Sequence, residues 1–336
     1  MSLVIPIFIP HRGCPHQCLF CNQRSITGHD QSDLSVKEEI TQTVEEWLGR
    51  SGEQREVQVA FYGGSFTCLA RQEQVDMLSS VQPFIDSGRV GSIRLSTRPD
   101  CVDPEICSLL REFGVTTVEL GVQSLDDDVL ERSRRGHTTR QSRNALKMLQ
   151  GAGMEAGVQL MVGLPFETTV SFLRGIDEVV RLKPDFIRLY PVLVVKNSGL
   201  EDLYNRGLFQ PLSLEKAVAL TAKGYKRFEL EGIPVIRMGL QPSEDLEKSI
   251  IAGPYHPAFG ELVKSRIWLG RIRRTLAALL PGQKAQICVS HRDLSAVIGM
   301  KKQNIRRLTE LGFGDRFTLV ADKCMERGNI RYDFSK

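Results

Sequence analysis

Short apolar runs alternate with amphipathic stretches along the first 193 residues of the chain. The apolar runs are bounded by turn residues, which predicts buried strands, whereas the stretches between them repeat with the period of a helix. A regular alternation of strands and helices is typical of a parallel sheet. The predicted strands cover residues 4–9, 57–62, 92–96, 117–121, 156–162 and 186–190.

Helices are predicted between and after these strands, at residues 36–49, 71–86, 104–113, 126–132, 139–151 and 168–182. Ser35 and Glu38 have the spacing of a capping box before the first helix, and Pro104 follows Asp103 at the start of the third. Six strand–helix units predict an α/β fold, a partial (βα)6 TIM-like barrel. In such barrels the chemistry lies at the carboxyl ends of the strands.

Distinctive residues fall at five of these strand ends. A cysteine-rich loop follows the first strand, GGS at 63–65 follows the second and STR at 96–98 ends the third, while residues 119–123 and 159–165 end the fourth and fifth. Each segment alone is compatible with turns, helix caps or a surface ion pair. Their coincidence on one rim favours a functional site.

The cysteine loop, CPHQCLFC, places Cys14, Cys18 and Cys21 at a spacing of three and then two intervening residues. Three thiolates in this arrangement can bind three irons of a four-iron four-sulfur cluster and leave the fourth iron open to a cofactor. Zinc is the alternative, and it needs a fourth ligand. The histidines available for it are His11, His16 and His29.

A disulfide is not expected in this loop, because the N-terminus lacks the basic segment and cleavage site of a secretory signal. We therefore expect a cytoplasmic protein, and no apolar run approaches the ~18 residues that a membrane span requires. The remaining cysteines form no second motif, and we interpret them as core or incidental residues: Cys68, Cys101, Cys107, Cys288 and Cys324.

Charge is unevenly distributed along the 336 residues, although the net charge is only +4. Residues 251–336 contain 16 Lys and Arg against 7 Asp and Glu, a net charge of +9, so the first 250 residues carry −5. A basic C-terminal module indicates an anionic partner such as nucleic acid. A solvated basic surface without a partner is the simpler alternative.

Four segments within residues 1 to about 200 resemble the radical S-adenosylmethionine (radical SAM) superfamily: CPHQCLFC, FYGGSFT, VELGVQSLDDDVL and VQLMVGLPFET. Within it, LSTRPD, RRGHT and RLYPVLVVKNSGLEDLYNRG resemble the radical SAM half of the elongator catalytic subunit family. The third- to fifth-strand segments also resemble oxygen-independent coproporphyrinogen oxidase and its heme-chaperone relatives.

The resemblance implies two cofactors, a 4Fe-4S cluster and S-adenosylmethionine, and an electron donor such as flavodoxin or ferredoxin. It implies reductive cleavage of S-adenosylmethionine to a 5′-deoxyadenosyl radical, which abstracts a hydrogen from the substrate. The implied cluster ligands are Cys14, Cys18 and Cys21. The implied contacts to S-adenosylmethionine are Phe20, Gly63, Gly64, Ser65, Ser96, Gln123, Arg135, Gln159 and Met161.

The C-terminal region predicts a separate small α+β module. A helix is predicted at 214–231, followed by a short strand at 234–238 and a polar linker or lid at 240–260. After these come a basic helix at 261–280, a strand at 285–289, helices at 292–298 and 303–311, and a strand at 317–320. This βααβ order, with AVIGMKKQNIRRL across its turn, resembles a KH domain, a module that clamps nucleotide backbones. The implied RNA contacts are Arg271, Arg274, Lys301, Lys302, Arg306 and Arg307.

We therefore predict a radical SAM barrel at residues 1–207, a helical extension and linker at 208–260, and a basic KH-like module at 261–336. The first functional hypothesis is a radical SAM enzyme that modifies tRNA or another RNA. The alternatives are a radical SAM enzyme with a small, porphyrin-like substrate, a non-enzymatic heme-binding chaperone, and a C-terminal module that only caps the open side of the barrel. No coenzyme A loop is evident after residue 200, so uridine acetylation is not expected to carry over from the elongator family.

Overall fold

A computed structural model describes residues 2–9, 14–22, 35–50 and 56–335 of the chain. Its main feature is a curled sheet of seven strands that are all parallel to their neighbours. In spatial order the strands are β1 (Ser2–Phe8), β2 (Glu56–Tyr62), β3 (Ser92–Thr97), β4 (Val115–Gln123), β5 (Glu155–Val162), β6 (Phe186–Pro191) and β8 (Val235–Met238). A two-residue strand, β7 (Val194–Val195), lies outside this sheet.

Helices connect the strands of the sheet and follow it. Their bounds are α1 (Val36–Arg50), α2 (Arg71–Asp86), α3 (Pro104–Glu112), α4 (Asp127–Arg132), α5 (Thr139–Gly151), α6 (Thr169–Leu182), α7 (Gly199–Asn205) and α8 (Leu214–Leu230). The expected helix starts are present, since Glu38 accepts hydrogen bonds from the backbone and hydroxyl of Ser35 and Asp103 accepts one from the backbone N–H of Ile106. These caps satisfy N–H groups that have no partner within the helix.

The two faces of the sheet differ in chemistry. Along β3, Ile93 and Leu95 are buried in the main hydrophobic core between sheet and helices, whereas Arg94 and Ser96 alternate with them and lie on the opposite face. Polar side chains therefore line the concave face of the half-barrel. The predicted partial barrel is confirmed, and the short strand expected at 234–238 is β8, which joins the sheet as a seventh strand.

The segment predicted as a linker or lid, 240–260, contains regular structure. It forms α9 (Glu244–Ser249) and β9 (Ile250–Ala252), and β9 pairs antiparallel with β7. Leu246 of α9 is buried against Leu193 and Val195. The segment is thus packed onto the loop that follows β6.

The C-terminal region contains α10 (Phe259–Ala277), β10 (Lys284–Ser290), α11 (Leu294–Ile298), α12 (Gln303–Glu310), β11 (Phe317–Asp322) and β12 (Ile330–Ser335). The central strand β10 is parallel to β11 and antiparallel to β12. The expected order of strand, helix, helix and strand is present, and β12 is an additional strand. Helix α10 contributes to two cores: Phe259 and Val263 pack with α8, and Trp268 and Ile272 pack with β10.

No helix in the described part of the chain is long and apolar enough to cross a bilayer.

Candidate active site

The cysteine loop is fixed to the carboxyl edge of the sheet by backbone hydrogen bonds. The N–H of Leu19 donates to the carbonyl of Ser133 at 3.1 Å, and the N–H of Leu200 donates to the carbonyl of Leu19 at 2.7 Å. Gly199 permits this approach, because a Cβ there would lie 2.6 Å from the side chain of Leu19. Within the loop, the N–H of Cys21 donates to the carbonyl of Cys18 at 3.1 Å, which closes a turn between them.

Two buried arginines face the thiols of this loop. The Arg98 Nη1 lies 3.9 Å from the Sγ of Cys14, and the Arg135 Nη1 lies 3.5 Å from the Sγ of Cys18. The two side chains are only 2% and 7% exposed. An arginine in this position can donate a charge-assisted hydrogen bond to a metal-bound thiolate.

Arg98 is held in place by Asp100 and by the backbone of Arg135. Its Nε and Nη2 donate to the two carboxylate oxygens of Asp100 at 2.9 and 3.1 Å, and Nη2 also donates to the carbonyl of Arg135 at 2.6 Å. Asp100 lies 3.8 Å from the Nε2 of His16. The sequence places Arg98 at a strand end but does not assign it to the site, because its contacts with Cys14 and Arg135 span 84 and 37 residues.

Arg135 connects the cysteine loop to the end of β4. Its Nη2 donates to the carbonyl of Gly121 at 2.7 Å, and a Cβ at Gly121 would lie 2.9 Å from that nitrogen. The buried Nε of Arg135 has no hydrogen-bond partner among the described residues. One donor of this guanidinium is thus left over for a group that the described residues do not supply.

Gln123 and Gln159, both predicted cofactor contacts, are brought together. The Nε2 of Gln159 lies 3.4 Å from the Oε1 of Gln123. Gln123 ends β4 in a left-handed conformation, φ 68°, where the register of β4 against β5 shifts. A non-glycine residue with positive φ is uncommon, and such residues are concentrated at functional sites.

The glycine segment after β2 is tied to the end of β3. Gly63 has φ 97°, a conformation that favours glycine. Ser65 is buried, and its hydroxyl lies 3.1 Å from the Thr97 hydroxyl and accepts from the N–H of Arg98 at 3.1 Å. Ser65 therefore joins two loops of the site. Gly64 lies between Gly63 and Ser65 in the loop after β2.

Cys68 and Cys101 form a disulfide, with their Cα atoms 5.3 Å apart. The interpretation of these two cysteines as core or incidental residues was wrong. They lie in the short 3-10 turns that follow β2 and β3, and the Ser65 hydroxyl is 2.9 Å from the Cys68 sulfur. Of the others, Cys107 and Cys288 are buried and Cys324 is exposed.

An apolar patch lies beside the cysteine loop. Phe20 and Met161 are partly buried and pack against a common cluster that includes Leu19 and Leu164. Such a surface suits the flat face of an adenine, the contact expected of Phe20 and Met161. Ser96 is half-buried on the polar face of β3, aligned with Glu119 of β4.

A buried ionic cluster crosses the concave face. Glu119 is 3% exposed and lies 2.8 Å from the Nη2 of Arg188, 3.4 Å from the Nη1 of Arg94 and 3.4 Å from the hydroxyl of Tyr62. Burial raises the pKa of Glu119, and the two guanidinium groups oppose that rise. The sequence suggested a surface ion pair at this strand end, but the charges of Glu119 and its partners lie in the interior. Arg94 and Arg188 are 25 and 69 residues away from Glu119 in the chain.

His137 is buried next to Arg135. Its Nε2 lies 3.2 Å from the carbonyl of Val122, and its Nδ1 is buried without a partner among the described residues. Burial, assisted by the charge of Arg135, lowers the pKa of His137 to about 3. The imidazole is therefore neutral near pH 7.

The residues present fit an anionic iron–sulfur cluster and an amino-acid cofactor. The described residues contain no group of three His, Cys, Asp or Glu side chains close enough to bind one metal ion. A cluster does not require such a group, because each thiolate binds a different iron. The two guanidinium groups directed at thiols and the unpartnered Nε of Arg135 are the donors that such ligands need.

The predicted RNA contacts in the C-terminal region divide into two groups. Lys301 and Lys302 are exposed and both have left-handed backbone, φ 49° and 61°; Arg306 is also exposed. By contrast, Arg271 pairs with Glu229 at 2.8 Å, and two further arginines have local partners. Arg307 pairs with Glu310 at 3.0 Å, and the Nε of Arg274 donates to the carbonyl of Gly270 at 3.2 Å.

Two family descriptions match the chain. "Radical SAM superfamily" matches residues 8–178, and "Radical_SAM C-terminal domain" matches residues 184–268. The second match crosses both predicted domain boundaries, at 207 and 260.

Curated relatives of the chain include two that are named for tRNA or for elongator. The tRNA uridine(34) acetyltransferase of Methanocaldococcus jannaschii is 27% identical over 260 residues, which cover 65% of this chain and 47% of that protein. Elongator complex protein 3 of Saccharomyces cerevisiae is 25% identical over 268 residues, which cover 66% of this chain and 48% of that protein. The chain thus matches about half the length of these relatives.

Solved structures show a similar fold. The archaeal Elp3 of Methanocaldococcus infernus with an N-terminal deletion has a TM-score of 0.61 at 20% identity, covering 79% of this chain and 62% of that one. SuiB of Streptococcus suis bound to S-adenosylmethionine has a TM-score of 0.51 at 12% identity, covering 72% and 50%. At these identities the likeness concerns the fold.

Proposed function

We propose that this chain, which belongs to the radical SAM superfamily, modifies RNA, with tRNA as its substrate. Membership makes the chain an enzyme whose cofactors are a 4Fe-4S cluster and S-adenosylmethionine. When bound, these cofactors supply reductive cleavage of S-adenosylmethionine and hydrogen-atom abstraction from the substrate. The proposal concerns which residues hold them and what the substrate is.

Cys14, Cys18 and Cys21 bind the cluster in this proposal. The observation that carries it is the pair of buried guanidinium groups at Cys14 and Cys18, 3.9 and 3.5 Å from the sulfurs. Buried charges are costly unless they are paired. Asp100 pairs with Arg98 and lies near His16, whereas no carboxylate of the described residues pairs with Arg135. An anionic cluster would pair with Arg135 and complete the charge balance.

The remaining predicted contacts orient S-adenosylmethionine. Arg135 and Gln123 hold its amino-acid end, the backbone of Gly63 and Gly64 receives its amino group, and Phe20 contacts its adenine. Ser65 acts indirectly, because its hydroxyl holds the loops after β2 and β3 together. Ser96, Gln159 and Met161 complete the surface around the ribose and adenine. With the cluster bound, an electron donor such as flavodoxin or ferredoxin would supply the electron for the reductive cleavage.

The RNA substrate is supported by the names of two relatives and by the charge of the C-terminal region. The chain matches about half the length of both the tRNA uridine(34) acetyltransferase and the elongator protein. Residues 251–336 carry a net charge of +9, which favours binding to phosphates. In this proposal Lys301, Lys302 and Arg306 of a KH-like module contact the RNA. The reaction takes place in the cytoplasm.

Cluster binding is tested by iron and sulfide analysis of anaerobically reconstituted protein. The intact chain should hold about four irons and four sulfides. Replacing Cys14, Cys18 or Cys21 with Ala should abolish this content. The control is Cys324→Ala, because Cys324 is an exposed cysteine outside the site. Full iron content in Cys18→Ala would remove the loop from the metal site.

The tRNA substrate is tested by mass spectrometry of tRNA nucleosides from a deletion strain. One modified nucleoside should disappear, return with the intact gene, and fail to return with the Cys18→Ala gene. An unchanged nucleoside profile, with S-adenosylmethionine still cleaved by the purified protein, would exclude tRNA and favour a small-molecule substrate.

A further inference from the structure

The loop that follows β5 places an aromatic ring in solvent at the carboxyl edge of the sheet. Phe166 is 58% exposed and has φ 65°. Positive φ at a bulky residue is an outlier that the surrounding structure must impose. The imposing contacts are local: the Glu167 carboxylate accepts from the N–H of Gly163 at 2.8 Å, and the N–H of Glu167 donates to the carbonyl of Leu164 at 3.0 Å. The loop is thus closed on itself with the ring directed outward.

A guanidinium covers one face of this ring. The central carbon of Arg132 lies 4.5 Å from the ring centroid of Phe166. Arg132 has no carboxylate partner among the described residues, and neither has Arg134 two positions later. Between them, Ser133 accepts the hydrogen bond that fixes the cysteine loop. These two exposed arginines therefore lie beside the proposed cluster site.

A cavity opens next to the ring. It has a volume of about 170 Å³ and is lined by Phe166, Glu167, Leu208, Phe209 and Gln210, among others. A second cavity of about 420 Å³ shares Gln210 and is also lined by Tyr204 and Lys216. Burial raises the pKa of Glu167 to about 8, so its carboxyl can both donate and accept a hydrogen bond near pH 7.

We propose that Phe166 and Arg132 form a stacking platform that receives an unpaired base of the RNA substrate at the mouth of the half-barrel. The inference rests on the proposed RNA substrate and adds the place where a base is held. Aromatic rings and arginine planes are the surfaces on which proteins stack unpaired bases. Gln210 and Glu167 offer hydrogen bonds to the base edge, and Arg134 is placed for a phosphate.

An apolar surface alone would also suit a protein partner such as the electron donor. Arg132 and Arg134, which have no carboxylate partner among the described residues, favour RNA, because arginine side chains bind a phosphate backbone. The cavity favours it as well, because a splayed base needs a recess with polar groups at its edge. A protein partner is therefore one of the outcomes that the test must separate.

The test compares two fluorescein-labelled RNAs, an anticodon stem–loop and a fully paired duplex without a loop, by fluorescence anisotropy. Phe166→Leu keeps apolar volume but removes the aromatic ring, so it should weaken stem–loop binding about 5- to 150-fold, the range measured for loss of one stacked base. Duplex binding should not change, because no base is available to stack. Phe166→Trp should restore stem–loop affinity.

Val170→Ala is the matched control, because Val170 is 65% exposed on the next helix and does not line the cavity. It should leave both affinities unchanged. If Phe166→Leu loses stem–loop and duplex affinity equally, this variant is misfolded and Phe166→Trp decides the test. The platform is overturned if Phe166→Trp does not bind the stem–loop as tightly as the intact chain.

Other results separate this inference from the proposed function. If the intact chain binds the stem–loop and Phe166→Leu binds it equally well, the platform is wrong and the RNA substrate stands. If the intact chain binds neither RNA, both fail. If Phe166→Leu keeps RNA affinity but weakens the binding of flavodoxin, the surface is a protein docking site and the platform is overturned.

Discussion

A single buried imidazole, His137, makes folding stability depend on pH. Its pKa is about 3 in the folded chain and about 6.5 in an unfolded one. Between these values the unfolded chain binds the proton and the folded chain does not, so stability falls as the pH falls below 6.5. At pH 5 the loss attributable to this group is about 2 kcal/mol, since each pKa unit corresponds to about 1.4 kcal/mol.

His137→Gln should therefore reduce the loss of stability between pH 7 and pH 5. The glutamine amide can still donate to the carbonyl of Val122, the bond now made at 3.2 Å. The measurement is the thermal unfolding midpoint of each protein across this pH range, with iron content checked at each point. His291→Gln, at an exposed histidine, is the control. Parallel curves for wild type and His137→Gln would show that His137 does not set the acid sensitivity.

At the residue scale, the sequence predicts those site residues whose chemistry is local in the chain. The three cysteines lie within eight residues, so their spacing alone indicates a cluster loop. Arg98 was not predicted as a site residue, because its contact with Cys14 spans 84 residues. The interior position of Glu119 was missed for the same reason, as its partner Arg188 is 69 residues away.

At the scale of elements, the turn between α11 and α12 contains backbone strain that a substitution can relieve. Lys302 has φ 61° and is exposed. A left-handed non-glycine residue costs about 1–2 kcal/mol, whereas glycine adds about 0.4–1 kcal/mol of entropy cost from the unfolded chain. Lys302→Gly should thus stabilise the C-terminal region by up to about 1.5 kcal/mol.

The measurement is the unfolding midpoint of the full chain with Lys302→Gly. Lys323→Gly is the control, because Lys323 is also exposed but is not left-handed; it should bring no gain. An unchanged or lower midpoint in Lys302→Gly would mean that the lysine side chain stabilises the turn more than its backbone strains it.

Most strands and helices could be predicted, because each has a hydrophobic period that its own residues display. The exceptions are elements whose pattern is short or exposed. A short strand is predicted at 234–238, but none of the four residues of β8 is fully buried, so nothing local shows that it joins the main sheet beside β6. Strand β12 alternates half-buried and exposed residues. The Cys68–Cys101 disulfide joins two loops 33 residues apart, and only the parallel order of β2 and β3 brings them together.

At the scale of the whole molecule, two regions of opposite charge share helix α10. Its first half packs on α8 of the barrel, and its second half packs on the C-terminal sheet. The region before residue 251 carries −5 and the region after it +9. Composition could predict this asymmetry, but not which basic side chains remain available. Arg271 and Arg307 are paired with carboxylates, so the lysines of the turn are the stronger candidates for RNA.

Reversing the charge of Lys301 and Lys302 should weaken tRNA binding strongly and flatten its salt dependence. Each phosphate contact releases about one counterion, so loss of two contacts lowers the slope of log affinity against log salt by about two. The measurement is tRNA affinity across a salt series for Lys301→Glu, Lys302→Glu. Its matched control reverses two exposed lysines on barrel helices, Lys147 and Lys223, which changes the net charge by the same amount. If both double variants lose affinity equally, net charge attracts the RNA and the turn has no special part; if neither does, the C-terminal module is a structural cap on the barrel.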